Sequence, residues 1–144
     1  MSFERRAMQD VYPMVLAGRT DPPRKSGLTM VIDMGSGVLE TQDFIDYAWR
    51  YIDIVKISSG TAALYSESVM RKKLEIYHDK GIHAESGGSH FEVALWKGRT
   101  TAYFKQLLNL GIDVVEIADG HLPLEDSVRF DCIKEAKDLG LLVA

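Results

Sequence analysis

Short runs of apolar residues recur along the chain, and each run passes into a turn that is rich in glycine or other small residues. The four runs cover residues 28–35, 52–60, 82–88 and 114–120. Their length and their glycine-rich exits are typical of buried strands. The pattern therefore predicts four strands, each of which ends close to a charged or polar side chain.

The segments between these runs have the spacing of amphipathic helices. In residues 39–51, Phe44, Ile45, Ala48 and Trp49 recur at the interval of a helix face that packs on a sheet. Further helices are predicted over residues 66–81, over residues 101–110, after Gly88, and over the segment that ends at Gly140. Residues 141–144 are apolar again and predict the start of a fifth strand.

Alternating strands and helices predict an α/β fold with a parallel sheet, because crossover helices join parallel neighbours. Four strand–helix units and the start of a fifth make half of a (βα)₈ TIM barrel, which needs about 250 residues when complete. A flavodoxin-like open sheet is the alternative, since its elements follow in the same order over this length. We expect an N-terminal arm over residues 1–26 and a partial TIM-barrel domain over residues 27–144.

Composition and charge narrow the class of partner. The 144 residues are 46% hydrophobic and 26% charged, with a net charge of −4, which suits one soluble domain with a core. An acidic chain does not favour nucleic acid, and no stretch approaches the roughly 18 to 20 apolar residues of a membrane span. The single Cys132 and the absence of a signal-peptide pattern predict a cytoplasmic protein that binds small molecules or proteins.

Three charged side chains occupy similar positions near the ends of predicted strands. Asp33, Lys56 and Glu116 each lie shortly before a turn, and strand alternation predicts that they face one side of the sheet. Because the carboxyl ends of parallel strands share one rim, we expect them to converge there. Two carboxylates and an ammonium suit a Mg²⁺ ion and an oxyanion, and the alternative is that they neutralise one another as a buried network.

The turns after the strands offer backbone N–H groups to an anionic ligand. Residues 58–61 include Gly60, which permits close approach of the backbone to a phosphate or carboxylate. His83 and His90 lack the i, i+4 spacing of a metal pair on one helix, and we interpret them as surface or capping histidines.

Several of these segments resemble the amino-terminal half of the phosphosulfolactate synthase family. The family pattern has a P-R-x-x-G lead-in, a Y-I-D-x-V-K strand, a G-T exit, a G-G-[TS]-x-F-E turn and an E-I-[SA]-[DN]-G strand. In this chain the five motifs fall on residues 23–27, 51–56, 60–61, 87–92 and 116–120. The resemblance is continuous from Pro23 to Val143.

This resemblance implies a TIM barrel that uses Mg²⁺ and adds sulfite to phosphoenolpyruvate in coenzyme M biosynthesis. Sulfite would attack the methylene carbon, charge would move into the carboxylate, and a lysine would protonate the adjacent carbon. The implied catalytic residues are Lys56 and Glu116, and the implied metal ligands are Asp33, Glu116 and Asp119. The implied substrate-binding residues are Arg24, Ser59, Gly60, Thr61, Gly87 and Gly88.

The chain departs from the family pattern at the ends of three strands. Met34 replaces a lysine, Ile57-Ser58-Ser59-Gly60-Thr61 stands where the family has the aromatic exit F-G-W-G-T, and Glu85 stands where the family has tyrosine in Y-P-G-G. The family's lysine-bearing E-V-G-x-K segment, where we expect the general acid, lies beyond Ala144. Two hypotheses follow: a related enzyme with its own substrate or nucleophile, and a non-catalytic relative that resembles plant heat-stress-associated proteins and acts through protein association.

An open half-barrel sheet would leave one face apolar. Such a face requires cover from other protein, because large exposed apolar patches are rare on soluble monomers. We therefore expect either a fragment of a longer protein or a homo-oligomer in which a second copy closes the sheet.

Overall fold

The computed structural model describes residues 7–8, 10–11, 20–58 and 60–144. In these ranges the elements are β1 (Met30–Asp33), α1 (Val38–Ala48), β2 (Ile54–Ile57), α2 (Glu67–His78), β3 (His83–Ser86), α3 (Gly88–Trp96), α4 (Thr100–Leu110), β4 (Val114–Val115), α5 (Asp126–Asp138) and β5 (Leu142–Val143). Short 3₁₀ helices follow α1 at Trp49–Tyr51 and β2 at Thr61–Ala63. The predicted succession of strands and helices is confirmed, including the short fifth strand. Most of the expected arm, residues 1–26, lies outside the described residues.

All five strands belong to one parallel sheet in the order β1-β2-β3-β4-β5. Each strand therefore pairs with its neighbour in sequence, as in a (βα)₈ barrel. A flavodoxin-like sheet has the order 2-1-3-4-5, in which the first strand lies between the second and the third. The fold is thus a five-stranded α/β unit that corresponds to part of a TIM barrel, and the flavodoxin-like alternative is wrong.

The hydrophobic core lies between the helices and one face of the sheet, which we call the outer face. The strands contribute Val55, Ile57, Ala84 and Val115 to it. The helices contribute Ile45, Met70, Leu74, Phe91, Phe104 and Leu107. Phe91 on α3 and Phe104 on α4 stack with ring centroids 6.3 Å apart, so this ring pair fixes the two helices against each other.

The opposite face of the sheet, the inner face, carries the alternate residues of each strand. Register places Ile32, Lys56 and Glu85 side by side on it. On the edge strands its apolar side chains are open to solvent: Ile32 is 58% exposed and Leu142 is 51% exposed. No helix within the described residues is long and apolar enough to cross a membrane.

Replacing Phe104 by alanine tests the core. Phe104 is fully buried, and removing a buried phenylalanine costs about 3 to 5 kcal/mol through lost transfer energy and the cavity left behind. Phe130→Ala is the matched control, because Phe130 on α5 is 67% exposed and its loss should change the free energy of unfolding by about 0.5 kcal/mol or less. Urea unfolding followed by circular dichroism measures both, and equal losses in the two variants would contradict this core assignment.

Candidate functional site

Lys56 lies on the inner face of the sheet between carboxylates from two neighbouring strands. Its Nζ is 2.7 Å from Oε2 of Glu116 and 3.6 Å from Oε1 of Glu85. Lys56 pairs with Glu85 in the ladder between β2 and β3, and Glu116 directly follows β4. The structure thus brings Lys56 and Glu116 together as the sequence predicts, and adds Glu85 as a third member of what we call the Lys56 cluster.

The charges of the Lys56 cluster depend on one another. Burial opposes the charged form of Lys56, but the hydrogen bond and charge of Glu116, together with the Glu85 charge, outweigh it and raise the pKa of Lys56 above its ordinary value. Burial raises the pKa of Glu85; Lys56 lowers it only in part, and the negative charge of Glu116 raises it further. The arrangement favours a firmly held ammonium beside a carboxyl group that retains its proton to higher pH than usual.

Glu85 is the most unusual member of the cluster because its side chain is fully buried without a hydrogen bond. Its relative exposure is 0%, and both carboxylate oxygens lack a hydrogen-bond partner. A buried carboxyl group without hydrogen bonds costs free energy. Such groups concentrate at functional sites, where strained electrostatics tune chemistry. In the sequence, Glu85 is recognisable only as a departure from the family's Y-P-G-G pattern. The signal for its place on the inner face is its position two residues after His83 in the same strand.

A second polar pair lies on the outer face beside the cluster. The Ser86 Oγ and Tyr103 OH groups are 2.8 Å apart, which joins β3 to α4. Burial, with added contributions from the negative charges of Glu116 and Glu85, raises the pKa of Tyr103 to about 12. Tyr103 therefore stays protonated at neutral pH, and its hydrogen bond holds the end of β3.

Gly88 explains how α3 approaches the cluster so closely. Its backbone N–H donates to Oε2 of Glu116 over 2.6 Å. A Cβ on Gly88 would lie 2.2 Å from the Cβ of Ala118 and 2.8 Å from Oε2 of Glu116, so only glycine fits. The amino end of α3 is thus bound to the exit of β4, and the predicted ligand-binding N–H of Gly88 is occupied by Glu116.

Asp33 does not join the Lys56 cluster, so the prediction that it shares a face with Lys56 and Glu116 is wrong. Its Oδ2 lies 2.5 Å from Nζ of Lys73 and accepts a hydrogen bond from Tyr77 over 2.8 Å. The cause is the register, in which Asp33 is level with Ile57 on the outer face. Burial alone would raise the pKa of Asp33, but hydrogen bonds, with that of Lys73 the largest, hold it below its ordinary value.

Arg24 lies at the opposite end of the sheet from the cluster. Its guanidinium is 3.0 Å from Oδ1 of Asp53, which immediately precedes β2, and its side chain is only 3% exposed. It also donates to the backbone carbonyl oxygens of Thr20 and Arg50. The implied role of Arg24 in the same anion site is therefore corrected: Arg24 closes the amino-terminal end of the sheet.

The three implied metal ligands are not assembled in the structure. Asp119 forms an ion pair with Arg129 on α5, and Asp33 is bound on the outer face, so Glu116 stands apart from both. Within the described ranges, no group of three or more His, Cys, Asp or Glu side chains is placed to hold a metal ion. Glu116 contacts both Lys56 and Gly88 through Oε2, so Oε1 is the carboxylate oxygen that suits a hard cation together with ligand and water oxygens.

The implied anion-binding turns are closed by their own hydrogen bonds. The Thr61 N–H and hydroxyl both donate to the carbonyl oxygen of Ser58, and the Gly87 N–H donates to Ile57 in continuation of the ladder. Gly60 adopts a left-handed conformation with φ of 82°, as its glycine predicts, and Ser59 lies outside the described residues. The N–H groups of Thr61 and Gly87 therefore serve the turn and the sheet, which corrects their expected use by a ligand.

The two histidines expected as surface or capping groups, His83 and His90, lie in different surroundings. His83 is an exposed histidine near the amino end of β3, as expected. His90 on α3 lies beside Gly60, and burial lowers its pKa despite a hydrogen bond with the Gly60 backbone. His121, which sequence reasoning missed, has its Nδ1 2.6 Å from Oε2 of Glu92.

Replacing Glu85 by glutamine tests the charge balance of the cluster. Because the Glu85 pKa is raised in the folded state, its stabilising contribution is complete below the ordinary glutamate pKa of about 4.3 and is lost as pH rises through the higher folded value. Glutamine does not titrate, so the stability of Glu85→Gln relative to the native chain should increase with pH over that window, by up to about 1.4 kcal/mol per pH unit.

Urea unfolding at successive pH values measures this difference. Glu75→Gln is the control, since Glu75 is exposed on α2. Parallel pH profiles for the native chain and Glu85→Gln would refute the raised pKa.

The chain is similar in sequence to one protein family and to several known proteins. The family model of (2R)-phospho-3-sulfolactate synthase (ComA) matches residues 17–144. The chain is 37% identical over 117 residues to phosphosulfolactate synthase of Methanocaldococcus jannaschii, covering 81% of this chain and 47% of that protein. It is 30% identical over 134 residues to phosphosulfolactate synthase of Methanothermobacter thermautotrophicus, covering 93% and 52%. It is 24% identical over 128 residues to Protein HEAT-STRESS-ASSOCIATED 32 of Arabidopsis thaliana, covering 85% and 44%.

The chain spans about half the length of the curated relatives it matches. The family match nevertheless includes all five strands and the complete Lys56 cluster. On this match, the chain belongs to the (2R)-phospho-3-sulfolactate synthase family.

Proposed function

We propose that this chain carries a phosphosulfolactate synthase-type site that adds sulfite to phosphoenolpyruvate. The observation that carries the proposal is the Lys56 ammonium held between Glu116 and Glu85 at the carboxyl-terminal end of a parallel sheet. This is the end at which barrel enzymes carry out their chemistry. Family membership supports the reaction class, since the relatives from Methanothermobacter thermautotrophicus and Methanocaldococcus jannaschii bear the name of that enzyme.

The proposed reaction needs one new bond and one proton. The sulfur lone pair forms a bond to the methylene carbon of phosphoenolpyruvate, and the π electrons of the double bond move to the adjacent carbon and into the carboxylate. A proton then adds to that carbon, so no group leaves and the phosphate is retained. Lys56 is the proposed donor of this proton, in place of the lysine of the E-V-G-x-K segment from which the family pattern led us to expect it, and Glu116 orients its ammonium through the 2.7 Å contact.

Mg²⁺ is the proposed cofactor, with Oε1 of Glu116 as the protein ligand that the geometry favours. When bound, the ion would supply positive charge beside the developing enolate oxygens. Mg²⁺ typically takes one or two protein carboxylates and completes its shell with substrate oxygens and water. A single well-placed glutamate is therefore compatible with a magnesium site, although Asp33 and Asp119 lie elsewhere.

Protein association is the second candidate function, and the exposed inner face favours it. Ile32 on β1 and Leu142 on β5 are more than half exposed, and both lie on strands with one neighbour in the sheet. We propose a second copy of this chain as the partner, because the same face would then be covered on both copies. One relative, Protein HEAT-STRESS-ASSOCIATED 32, does not bear the name of the enzyme, which is compatible with a function other than this catalysis.

The assay that tests the enzyme proposal combines the chain with phosphoenolpyruvate and sulfite, with Mg²⁺ or with a chelator, and follows phosphosulfolactate by mass spectrometry. Lys56→Met should abolish phosphoenolpyruvate binding and lower the rate by about 100-fold or more, because it removes both the positive charge and the proton donor. Lys56→Arg should retain binding and lose rate, since arginine keeps the charge but does not release its proton.

Lys72→Met is the matched control, because it makes the same substitution at an exposed lysine on α2, outside the Lys56 cluster. Circular dichroism confirms that each variant is folded. Product formation at the native rate in folded Lys56→Met would refute the assignment of Lys56, and absence of product with the native chain would refute the enzyme proposal.

Light scattering tests the association proposal. The native chain should have the mass of a dimer or a higher multiple, and Ile32→Lys should shift it toward the monomer, because a charge would be buried at the contact. Phe130→Lys is the control, since Phe130 is 67% exposed, against 58% for Ile32, but lies on α5 rather than on a strand of the sheet. A monomeric native chain, or equal effects of the two substitutions, would contradict the proposed contact.

A further inference from the structure

A buried glutamate and an exposed histidine form a pair at the exit of β4. Oε2 of Glu92 lies 2.6 Å from Nδ1 of His121, and Oε1 accepts hydrogen bonds from the backbone N–H groups of His121 and Leu122. The Glu92 side chain is 4% exposed, whereas that of His121 is 74% exposed. The carboxylate is therefore fixed inside the protein while the imidazole lies at the surface.

Hydrogen bonding determines which ring nitrogen is free. Burial alone would raise the pKa of Glu92, but the hydrogen bonds from His121 and Leu122 outweigh it and hold the pKa below its ordinary value. An ionised carboxylate only accepts hydrogen bonds, so Nδ1 of His121 must carry a proton. Nε2 is then the ring nitrogen available to a ligand, and no described residue hydrogen-bonds to it.

The pair belongs to the same rim as the Lys56 cluster. Glu92 lies one helical turn after Gly88, whose N–H binds Glu116, and Gly120 approaches Oε1 of Glu92 closely enough that a Cβ there would be 4.0 Å away. His121 follows Glu116 by five positions along the exit of β4. On this loop and on α5, Asp119 and Arg129 form an ion pair, and the acidic Glu125 and Asp126 follow His121 along the chain.

A ligand with several negative charges needs donors beyond Lys56. Near the ends of the strands, Lys56 is shared by two carboxylates, Lys73 is buried against Asp33, and Arg129 is paired with Asp119. His121 differs from these three groups in the part of the chain that the structure describes, because its partner holds Nδ1 and leaves Nε2 at the surface. A hydrogen bond between an imidazole nitrogen and a phosphate or sulfite oxygen needs one proton. Either the imidazole or the oxyanion supplies that proton.

We propose that Nε2 of His121 binds an oxyanion of the ligand, a phosphate or a sulfite, and that Glu92 is the positioning residue that orients the ring. This contact adds an anion-binding residue to the site of the proposed function. It rests on that proposal because it requires an anionic ligand. His121 would hold one end of the ligand at the rim while Lys56 meets it on the inner face.

Nuclear magnetic resonance of the imidazole groups tests this contact in the full chain. Phosphoenolpyruvate, inorganic phosphate and sulfite are titrated separately, with sodium chloride at equal ionic strength as the reference. At least one oxyanion should shift the His121 ring signals saturably while His83, near the amino end of β3, follows the chloride reference. A response to phosphate and phosphoenolpyruvate alone identifies the phosphate group, and a response to sulfite alone identifies the nucleophile.

Variants connect the signal to affinity. His121→Gln should raise the Kd of the responding anion about tenfold, the effect of losing one charge-assisted hydrogen bond, and His83→Gln should leave the Kd unchanged. Glu92→Gln should raise the Kd and change the ring tautomer seen in the spectrum, which a purely structural role would not do. An unchanged Kd in His121→Gln, or His121 shifts no larger than those with chloride, would overturn the inference.

The inference and the proposed function fail separately. Saturable binding at His121 without formation of phosphosulfolactate would refute the enzyme proposal and leave the oxyanion contact in place. Product formation by His121→Gln at the native KM would refute the contact and leave the enzyme proposal in place.

Discussion

The hydrogen-bond register of the parallel sheet is the constraint on which the candidate site depends. Pairing Lys56 with Glu85 across β2 and β3 places an ammonium and a carboxyl group side by side on the inner face. Because side chains alternate between faces, a shift of one residue would turn Lys56 toward the apolar core. The core residues Val55 and Ile57 on either side of Lys56 prevent that shift, since it would expose both of them. Apolar packing on one face thus fixes the chemistry on the other.

The sheet separates two buried ionic clusters with different properties. On the outer face, the Lys73 ammonium and the Asp33 carboxylate are fully hydrogen-bonded, with Tyr77 and backbone groups as further partners. On the inner face, Glu85 is equally buried but has no hydrogen bond. A satisfied network rigidifies a fold, whereas an unsatisfied buried carboxyl group raises the free energy of the folded state, a cost that is found mainly at functional sites. This contrast supports a structural role for Asp33 and a functional one for the Lys56 cluster.

Helix α3 connects the sheet to its rim. Through Gly88 it holds Glu116, and through Glu92 it holds the backbone of His121 and Leu122. The stack of Phe91 on Phe104 anchors the helix in the core, so these contacts start from a rigid support. The exit of β4 is therefore positioned by α3 rather than by its own short strand, which spans only Val114–Val115.

The sequence by itself determined the succession of strands and helices, the fold class, the family resemblance and the pairing of Lys56 with Glu116. The resemblance follows from the sequence motifs, and the other three features follow from local periodicity and from the rule that parallel strands end at one rim. Only the tertiary structure decided the strand order, the orientation of the Asp33 side chain toward Lys73, the position of Arg24 beside Asp53, and the burial of Glu85. Each of these depends on register or on contacts between residues far apart in the chain, and a one-residue difference in register reverses the face that a side chain occupies.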